Sequence, residues 1–300
     1  MKEEAQANQR LFLLGMILSM TCWGFSWTSG KILSHYAGPL TISFFRFALT
    51  FVSLLLILWL AKQKLSLDKS GFRDLILASL LISLYTYLFF KGLTVGKAGA
   101  GGILVTVLNP IISYCLTLGI ARRKPTRQEF YGLSLGVLAG LILLKIFTDA
   151  SALWSAGNVY FLLASFSWAL LSLVTARASR YGSPPAFSCW MYGVSTIVMF
   201  ALSGPSASVV LIDHADATFW GNLFFSATIT TSLATTFYFI ATVKIGASKA
   251  SSFIFLVPFS AALGSWIFLN EVPQLHSIVG GLLGIAAVYI LNMKKRVAST

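Results

Sequence analysis

The sequence predicts an all-α integral membrane protein, with ten transmembrane helices arranged as two inverted five-helix repeats around a central cavity. Three observations carry this expectation. Of 300 residues, 57% are hydrophobic and only 10% charged, whereas soluble domains carry about 25% charged residues. The apolar residues fall in runs of roughly 20, the length a helix needs to cross the hydrocarbon core of a bilayer. The second half of the chain also repeats the landmarks of the first.

The spans are expected at 11–31, 40–61, 72–93, 98–120, 129–147, 157–178, 185–204, 217–241, 249–269 and 275–293. They are separated by punctuating residues: Gly38-Pro39, the polar stretch Lys62 to Ser70, Gly96-Lys97, Arg122 to Arg127, Asp149 to Ser151, Gly182 to Pro185, Gly204-Pro205 to Asp216, Gly246, and Glu271 to Gln274. The runs are continuous rather than alternating, which excludes barrel strands. The first run, from Leu11 to about Gly30, is too long for a signal-peptide core and is read as an uncleaved first helix. No segment between spans is long enough to fold by itself.

The net charge of +13 does not form a nucleic-acid face, because Lys and Arg sit in short clusters between apolar runs. With a cytoplasmic N-terminus, the inside segments hold 17 of the 22 basic residues. The outside holds four: Lys31, Lys91, Lys97 and Lys145. Arg46 lies within a span. Basic loops stay on the cytoplasmic side, so both termini of this multi-pass protein are expected there. Cys22, Cys115 and Cys189 are far apart and lie inside apolar runs. That spacing suits neither a disulfide framework nor a metal site, and neither a cofactor nor a metal is expected.

The internal repeat is read from several matches in register. Pro110 and Pro125 are fifteen residues apart, as are Pro258 and Pro273, and the offset of 148 carries Gly132 onto Gly280 and Gly136 onto Gly284. Thr86-Tyr87-Leu88-Phe89 parallels Thr236-Phe237-Tyr238-Phe239, Gly96 parallels Gly246, and Trp23 pairs with Trp168 at an offset of 145. The repeats are placed at 1–150 and 151–300. Five crossings per repeat turn the second copy upside down, an arrangement in which two halves rock about a midplane site. A duplicated bundle without transport is the other reading.

The same landmarks resemble a known family. Trp23-Gly24-Phe25 with Lys31, then Pro39, Phe45-Arg46-Phe47, Pro110 to Pro125 with Gly132, and Pro258 followed by Leu269-Asn270-Glu271-Val272-Pro273 and Gly280-Gly281 resemble the drug/metabolite transporter superfamily. Within it, the chain looks like the EamA-type ten-helix exporters, most of all the bacterial aromatic amino acid exporters. The resemblance implies export of amino acids or similar metabolites through a central cavity. It departs at Arg123, which stands where the family often carries the glutamate that Glu271 supplies in the second half.

Candidate functional residues follow from depth and type. None of the acidic residues sits mid-span, which argues against a carboxylate proton relay and for facilitated diffusion. Arg46, seven residues into its span, is read either as snorkelling to the interface or as a gate latch paired with Glu271. Pro110 and Pro258 would free the carbonyls four residues back and serve as hinges or bare kinks. Asn109 is the mid-membrane amide, suited to a substrate group or an interhelical bond. Trp59, Trp154, Trp220 and Trp266 lie at span ends as interface anchors. Trp23, Trp27, Trp168 and Trp190, with Tyr85, Tyr87 and Tyr238, are the candidate cavity lining for aromatic or bulky substrates. Packing between helices is the alternative for each. Gly132, Gly136, Gly140, Gly280 and Gly284 are read as close-packing steps.

The leading expectation is thus an exporter of amino acids, aromatic ones included, that meets a small-molecule substrate and the lipid bilayer as a monomer or homodimer. A drug, nucleoside or other metabolite exporter of the same fold is the runner-up. An intramembrane serine hydrolase would need the Gly132-Leu133-Ser134-Leu135-Gly136 motif on a strand-to-helix elbow with a histidine base. Here the motif lies inside an apolar helix, and His35, His214 and His276 lie towards the other side.

Overall fold

In lipid a backbone must satisfy its own hydrogen bonds, so apolar runs of this length fold as helices. The computed structural model describes residues 2–148, 151, 154, 157–177, 180–245 and 253–292, and among them there is no strand. Gly246, Asp149, the expected start of the ninth span at 249–252 and the basic tail from Lys294 lie outside the described residues.

The first half supplies α1 (Lys2–Leu33), α2 (Pro39–Leu60), α3 (Phe72–Val95), α4 (Ala98–Ala121) and α5 (Arg127–Leu143). The second supplies α6 (Asn158–Thr175), α7 (Pro184–Ser203), a short α8 (Pro205–His214), α9 (Ala217–Phe224), α10 (Thr235–Ile245), α11 (Leu256–Leu269) and α12 (Leu275–Asn292). Local chemistry sets the starts. Pro39 and Pro184 open α2 and α7, where the fixed φ of proline is already helical and its missing N–H costs nothing. Thr126 and Glu129 form a reciprocal capping box on α5. Arg122 and Asn270, 148 residues apart, both end their helices in the left-handed conformation.

Among the described residues six helices are long and apolar enough to cross a membrane: Leu11–Leu33, Pro39–Leu60, Lys69–Val95, Ala98–Ala121, Asn158–Thr175 and Pro184–Ser203. The other four expected spans are shorter or interrupted. The region 129–147 ends as helix at Leu143. Phe253–Leu269 and Leu275–Leu291 are shorter apolar helices. The region 217–241 differs most: between α9 and α10 the chain winds as a ten-residue π-helix, Phe225–Ala234. The stretch after Gly204, expected as a loop, forms α8, because Pro205 again opens a helix.

The helices pair across the halves rather than within them. α2 packs on α7, α5 on α12 and α4 on α11, while α3 packs on α6 and α1 on the π-helix; α6 lies on α4 as α11 lies on α1. Several contacts recur with the halves exchanged. A Cβ at Gly132 would meet Leu291 Cδ2 at 2.8 Å and the carbonyl of Ala287 at 3.3 Å. One at Gly280 would meet Leu143 Cγ at 2.7 Å and the carbonyl of Ala139 at 3.1 Å. Each of these six residues lies 148 from its counterpart. Glycine is required here because the helices approach until a methyl group has no room. The outward faces carry large apolar side chains, Trp59, Ile120, Ile197 and Leu275 among them, as lipid contact demands.

Candidate functional site

The polar centre of the bundle is built by one face of α2. Arg46, Thr50 and Ser53 lie at i, i+4 and i+7 and so share that face. Their partners all lie on the π-helix, between Ala227 and Ser232. Arg46 Nη2 donates to Thr231 Oγ1 at 3.3 Å. Thr50 Oγ1 donates to the carbonyl of Ala227 at 3.5 Å, and Ser232 Oγ to the carbonyl of Thr50 at 3.4 Å. Ser53 and Thr228 share a hydrogen bond at 2.8 Å. A π-turn shifts each backbone bond by one residue, and such segments are frequent at functional sites. Here the hydroxyls of Thr231, Ser232 and Thr235 take up carbonyls five residues back. The run Ser226 to Thr236 is rich in serine and threonine, a signal visible in the sequence but not used in placing the span.

Arg46 points among the helices rather than towards the interface. Its guanidinium lies 5.5 Å from the Phe89 ring centroid and 5.8 Å from that of Phe90, on α3. The Tyr85 and Tyr192 phenols are within electrostatic reach. These contacts replace the snorkelling expectation. Glu271 is not its partner. The Glu271 carboxylate accepts the Gly99 N–H at 3.1 Å, at the start of α4, where unpaired N–H groups favour an anion. Lys31 is the cation near Glu271, and its Nζ donates to the carbonyls of Leu93 and, at 2.9 Å, Gly96. Lys31 and Glu271 thus tie the ends of α3 and α4. Beside them is a cavity of about 190 Å³, lined by Lys97, Lys145, Gln274 and His276 among others.

The candidate aromatic residues separate into two groups. Trp168 meets Tyr85 edge-on at 4.6 Å, and Trp23 meets Tyr238 at 5.4 Å. All four are half-buried, and each pair joins a tryptophan of one half to a tyrosine of the other. Trp23 Nε1 also donates to the carbonyl of Thr230 in the π-helix. Trp27 is 4% exposed and wedged between Phe89 and Phe161, so it belongs to the core. Tyr87, two residues from Tyr85, points from another face of α3. Trp190 is 39% exposed, and its Nε1 donates to the carbonyl of Leu65 at 3.1 Å, which anchors the α2–α3 connection instead of lining the centre. Asn109 accepts from Ser113 Oγ at 3.2 Å within its own helix.

Pro110 lies inside α4. Pro258 lies in the first turn of α11, directly after the 3₁₀ turn Phe253–Phe255. A proline there displaces no helical hydrogen bond, so the two prolines are not equivalent kinks.

Three further carboxylates, Glu129, Asp216 and Asp74, are bonded near helix ends. Glu129 accepts from both Arg123 nitrogens, at 2.7 and 2.9 Å, and from Tyr114 Oη at 2.6 Å. Tyr36 Oη donates to Asp216 at 2.7 Å, and Tyr181 Oη to Asp74 at 2.8 Å. Cys22, Cys115 and Cys189 are free thiols. The Gly132 to Gly136 motif lies inside α5 with no elbow. Among the described residues no His, Cys, Asp and Glu grouping has a metal-binding arrangement.

Comparison with known proteins adds a family. Residues 10–145 and 155–293 each match the EamA-like transporter family. The chain is similar to the uncharacterized transporter YoaV of Bacillus subtilis (strain 168), 25% identical over 93% of this chain and 95% of the relative. It is also similar to an uncharacterized transporter of Archaeoglobus fulgidus, 23% identical over 96% and 99%. A chloroplastic WAT1-related protein of Arabidopsis thaliana is 24% identical over 90% of this chain and 66% of its own length. One solved crystal structure superimposes with a TM-score of 0.61 at 12% identity, over 92% of this chain and 95% of the other, a likeness of fold alone.

Proposed function

The chain belongs to the EamA-like transporter family and is a multi-pass membrane protein, and from that premise we propose that it exports amino acids, aromatic ones included, by alternating access. In this reading residues 1–150 and 151–300 are two inverted five-helix repeats making ten crossings. The interrupted region 217–245 is the eighth crossing, α11 the ninth and α12 the tenth. The reciprocal contacts of Gly132 with Leu291 and of Gly280 with Leu143 support the two-fold relation, as does the separate family match of each half. The excess of basic residues in alternate loops supports cytoplasmic termini in a bacterial inner membrane.

The observation that carries the substrate reading is the pair of half-buried aromatic contacts, Trp168 on Tyr85 and Trp23 on Tyr238, one from each crossing of the halves. Each offers an apolar ring face beside a hydrogen-bonding tip, a surface suited to a bulky side chain. Pro110 and the π-helix are the places where the spans can bend. Lys31 and Glu271 close the outer end by holding the ends of α3 and α4 together. Asp68, Asp74, Glu129, Asp216 and Glu271 are engaged at helix ends or by tyrosines, which supports facilitated diffusion down the substrate gradient. The working unit is a monomer or a homodimer.

Efflux of labelled amino acids from proteoliposomes tests this reading. Aromatic members of the panel should leave fastest, at rates unchanged by an imposed pH gradient. Efflux of nucleosides or cationic drugs without amino acids would overturn the substrate assignment. Stimulation by the gradient would overturn the uncoupled mechanism.

A further inference from the structure

We infer that Arg46 binds an anionic group of the transported molecule, a carboxylate above all, and is a specificity-determining residue of the site. The inference rests on the reading of the chain as a carrier of small organic solutes and adds the charge its solute must bear.

Arg46 lies seven residues into α2, about 10 Å along the helix from its start. Its surroundings come from three other elements: Tyr85, Phe89 and Phe90 on α3, Tyr192 on α7, and Thr231 on the π-helix. An ionisable group placed so deep in a membrane bundle is normally paired, or lines a path for solute. Pairing is not what is found. Among the described residues, the groups within electrostatic reach of the guanidinium are two phenols, which are neutral at physiological pH. Glu271, the acidic residue expected to answer it, is spent on the Gly99 N–H beside Lys31.

A guanidinium has five N–H donors in a fixed fork that fits a carboxylate at two points. Among the described residues one hydrogen bond takes up a donor, the 3.3 Å contact to Thr231. The side chain is half-buried, not sealed, so the free donors are accessible. The two ring faces beneath it hold the cation in place without neutralising it. Tyr85 belongs to both environments: it is within reach of the guanidinium and packs on Trp168 at 4.6 Å. An apolar or aromatic carboxylate would meet Arg46 with its charge and the Tyr85–Trp168 pair with its body. Lipid phosphate carries the same charge, but the partners of Arg46 lie inside the bundle, which favours a solute.

The test measures binding apart from transport. Full-length protein in nanodiscs of zwitterionic phosphatidylcholine is titrated with matched pairs, phenylalanine against phenylalaninamide and 3-phenylpropionate against 3-phenylpropionamide, and apparent affinities are read from thermal shifts. The acid of each pair should bind roughly 10- to 100-fold more tightly than its amide, the range expected for a charge-assisted bond. Arg46→Gln should abolish that preference, Arg46→Lys should keep part of it, and Thr231→Val, which leaves the charge, should keep it. Equal binding of acid and amide by the unmodified protein overturns the inference. So does an Arg46→Gln variant that still prefers acids. Acid preference without efflux of any amino acid would sink the export reading while leaving the role of Arg46 standing.

Discussion

The crossing of α5 with α12 and the crossing of α2 with the π-helix obey different rules. At the first, exchanging the halves changes almost nothing: Gly132 faces Leu291 as Gly280 faces Leu143. At the second the exchange holds for the frame but fails for the chemistry. Offsets of 145 and 148 relate Thr50 to Ser195 and Ala227 to Ser79. Correspondingly, Thr50 donates to the Ala227 carbonyl as Ser195 donates to that of Ser79, at 3.1 Å. Yet Arg46 corresponds to Met191, which is 5% exposed, and the α-helix of α3 corresponds to a stretch wound as π-helix. A duplicated scaffold keeps its symmetry where only packing matters. The polar centre departs from it, because a single guanidinium and a single widened turn make a site that the other half does not copy.

The most direct way to break this contrast is Arg46→Met, which gives the first half the residue of the second. Efflux of an acidic substrate should fall at least about tenfold, as expected when a charge-assisted bond is lost. The melting temperature should hold or rise, because a half-buried cation without an acidic partner among the described residues gives way to an apolar side chain. A large fall in melting temperature would show that the arginine holds the bundle together.

The scaffold side is tested by Gly132→Val and Gly280→Val. Each pushes a branched side chain into a crossing that lacks room for a methyl group, at a cost of about 1–3 kcal/mol. The symmetric reading requires the two costs to be alike in thermal denaturation of the detergent-solubilised protein. If one site tolerates valine and the other does not, the crossing is less symmetric than its contacts.

This division also explains what the sequence made legible. Proline and glycine shape backbones and crossings, so the breaks at Gly38-Pro39 and Gly182 to Pro185 and the close-packing glycines could be read directly. The π-helix could not, because the serines and threonines of Phe225 to Ala234 also suit an ordinary membrane helix and no residue type forces the wider turn. The pairing of Arg46 with Glu271 was expected because opposite charges in a bilayer attract. It misses because Glu271 has a nearer cation in Lys31 and a helix N-terminus in α4. Trp190 and Trp27 were grouped with Trp168 by depth alone, but depth does not say which face of a helix a ring occupies. Pro258 looked mid-span because the preceding chain is apolar, although the regular helix starts only at Leu256.

A smaller effect is expected where hydroxyls join α2 to the π-helix. The Ser53–Thr228 bond spans two helices at 2.8 Å, and interhelical bonds of this kind average about 0.6 kcal/mol in double-mutant cycles. Ser53→Ala combined with Thr228→Val should give a coupling of that order in unfolding measurements. No coupling would mean that the π-helix is held by its backbone and by Arg46 rather than by this contact.

The smallest effect concerns the loop tyrosines. Tyr36 and Tyr181, 145 residues apart, each clasp a carboxylate from the other half, but the duties are divided differently. Asp216 both caps α9 through the Phe219 N–H at 2.8 Å and receives Tyr36. In the first half Asp68 caps the 3₁₀ turn before α3, while Asp74 receives Tyr181. The Phe219 N–H, followed by the Tyr36 hydroxyl, holds the Asp216 carboxyl below its ordinary pKa. A group whose folded pKa is depressed stabilises the fold fully above its unfolded value, near 4. That stabilisation is lost as pH falls through the lower folded value. Asp216→Asn should therefore lower the melting temperature at pH 6, and its difference from the unmodified protein should shrink as the pH falls through the depressed folded pKa of Asp216. Asp74→Asn, which takes the charge from one bond and leaves the Asp68 cap intact, should lower it less at pH 6. Equal losses from the two substitutions would show that the charge of Asp216 adds nothing to the α9 cap beyond the tyrosine contact, and the two corners would then be equivalent.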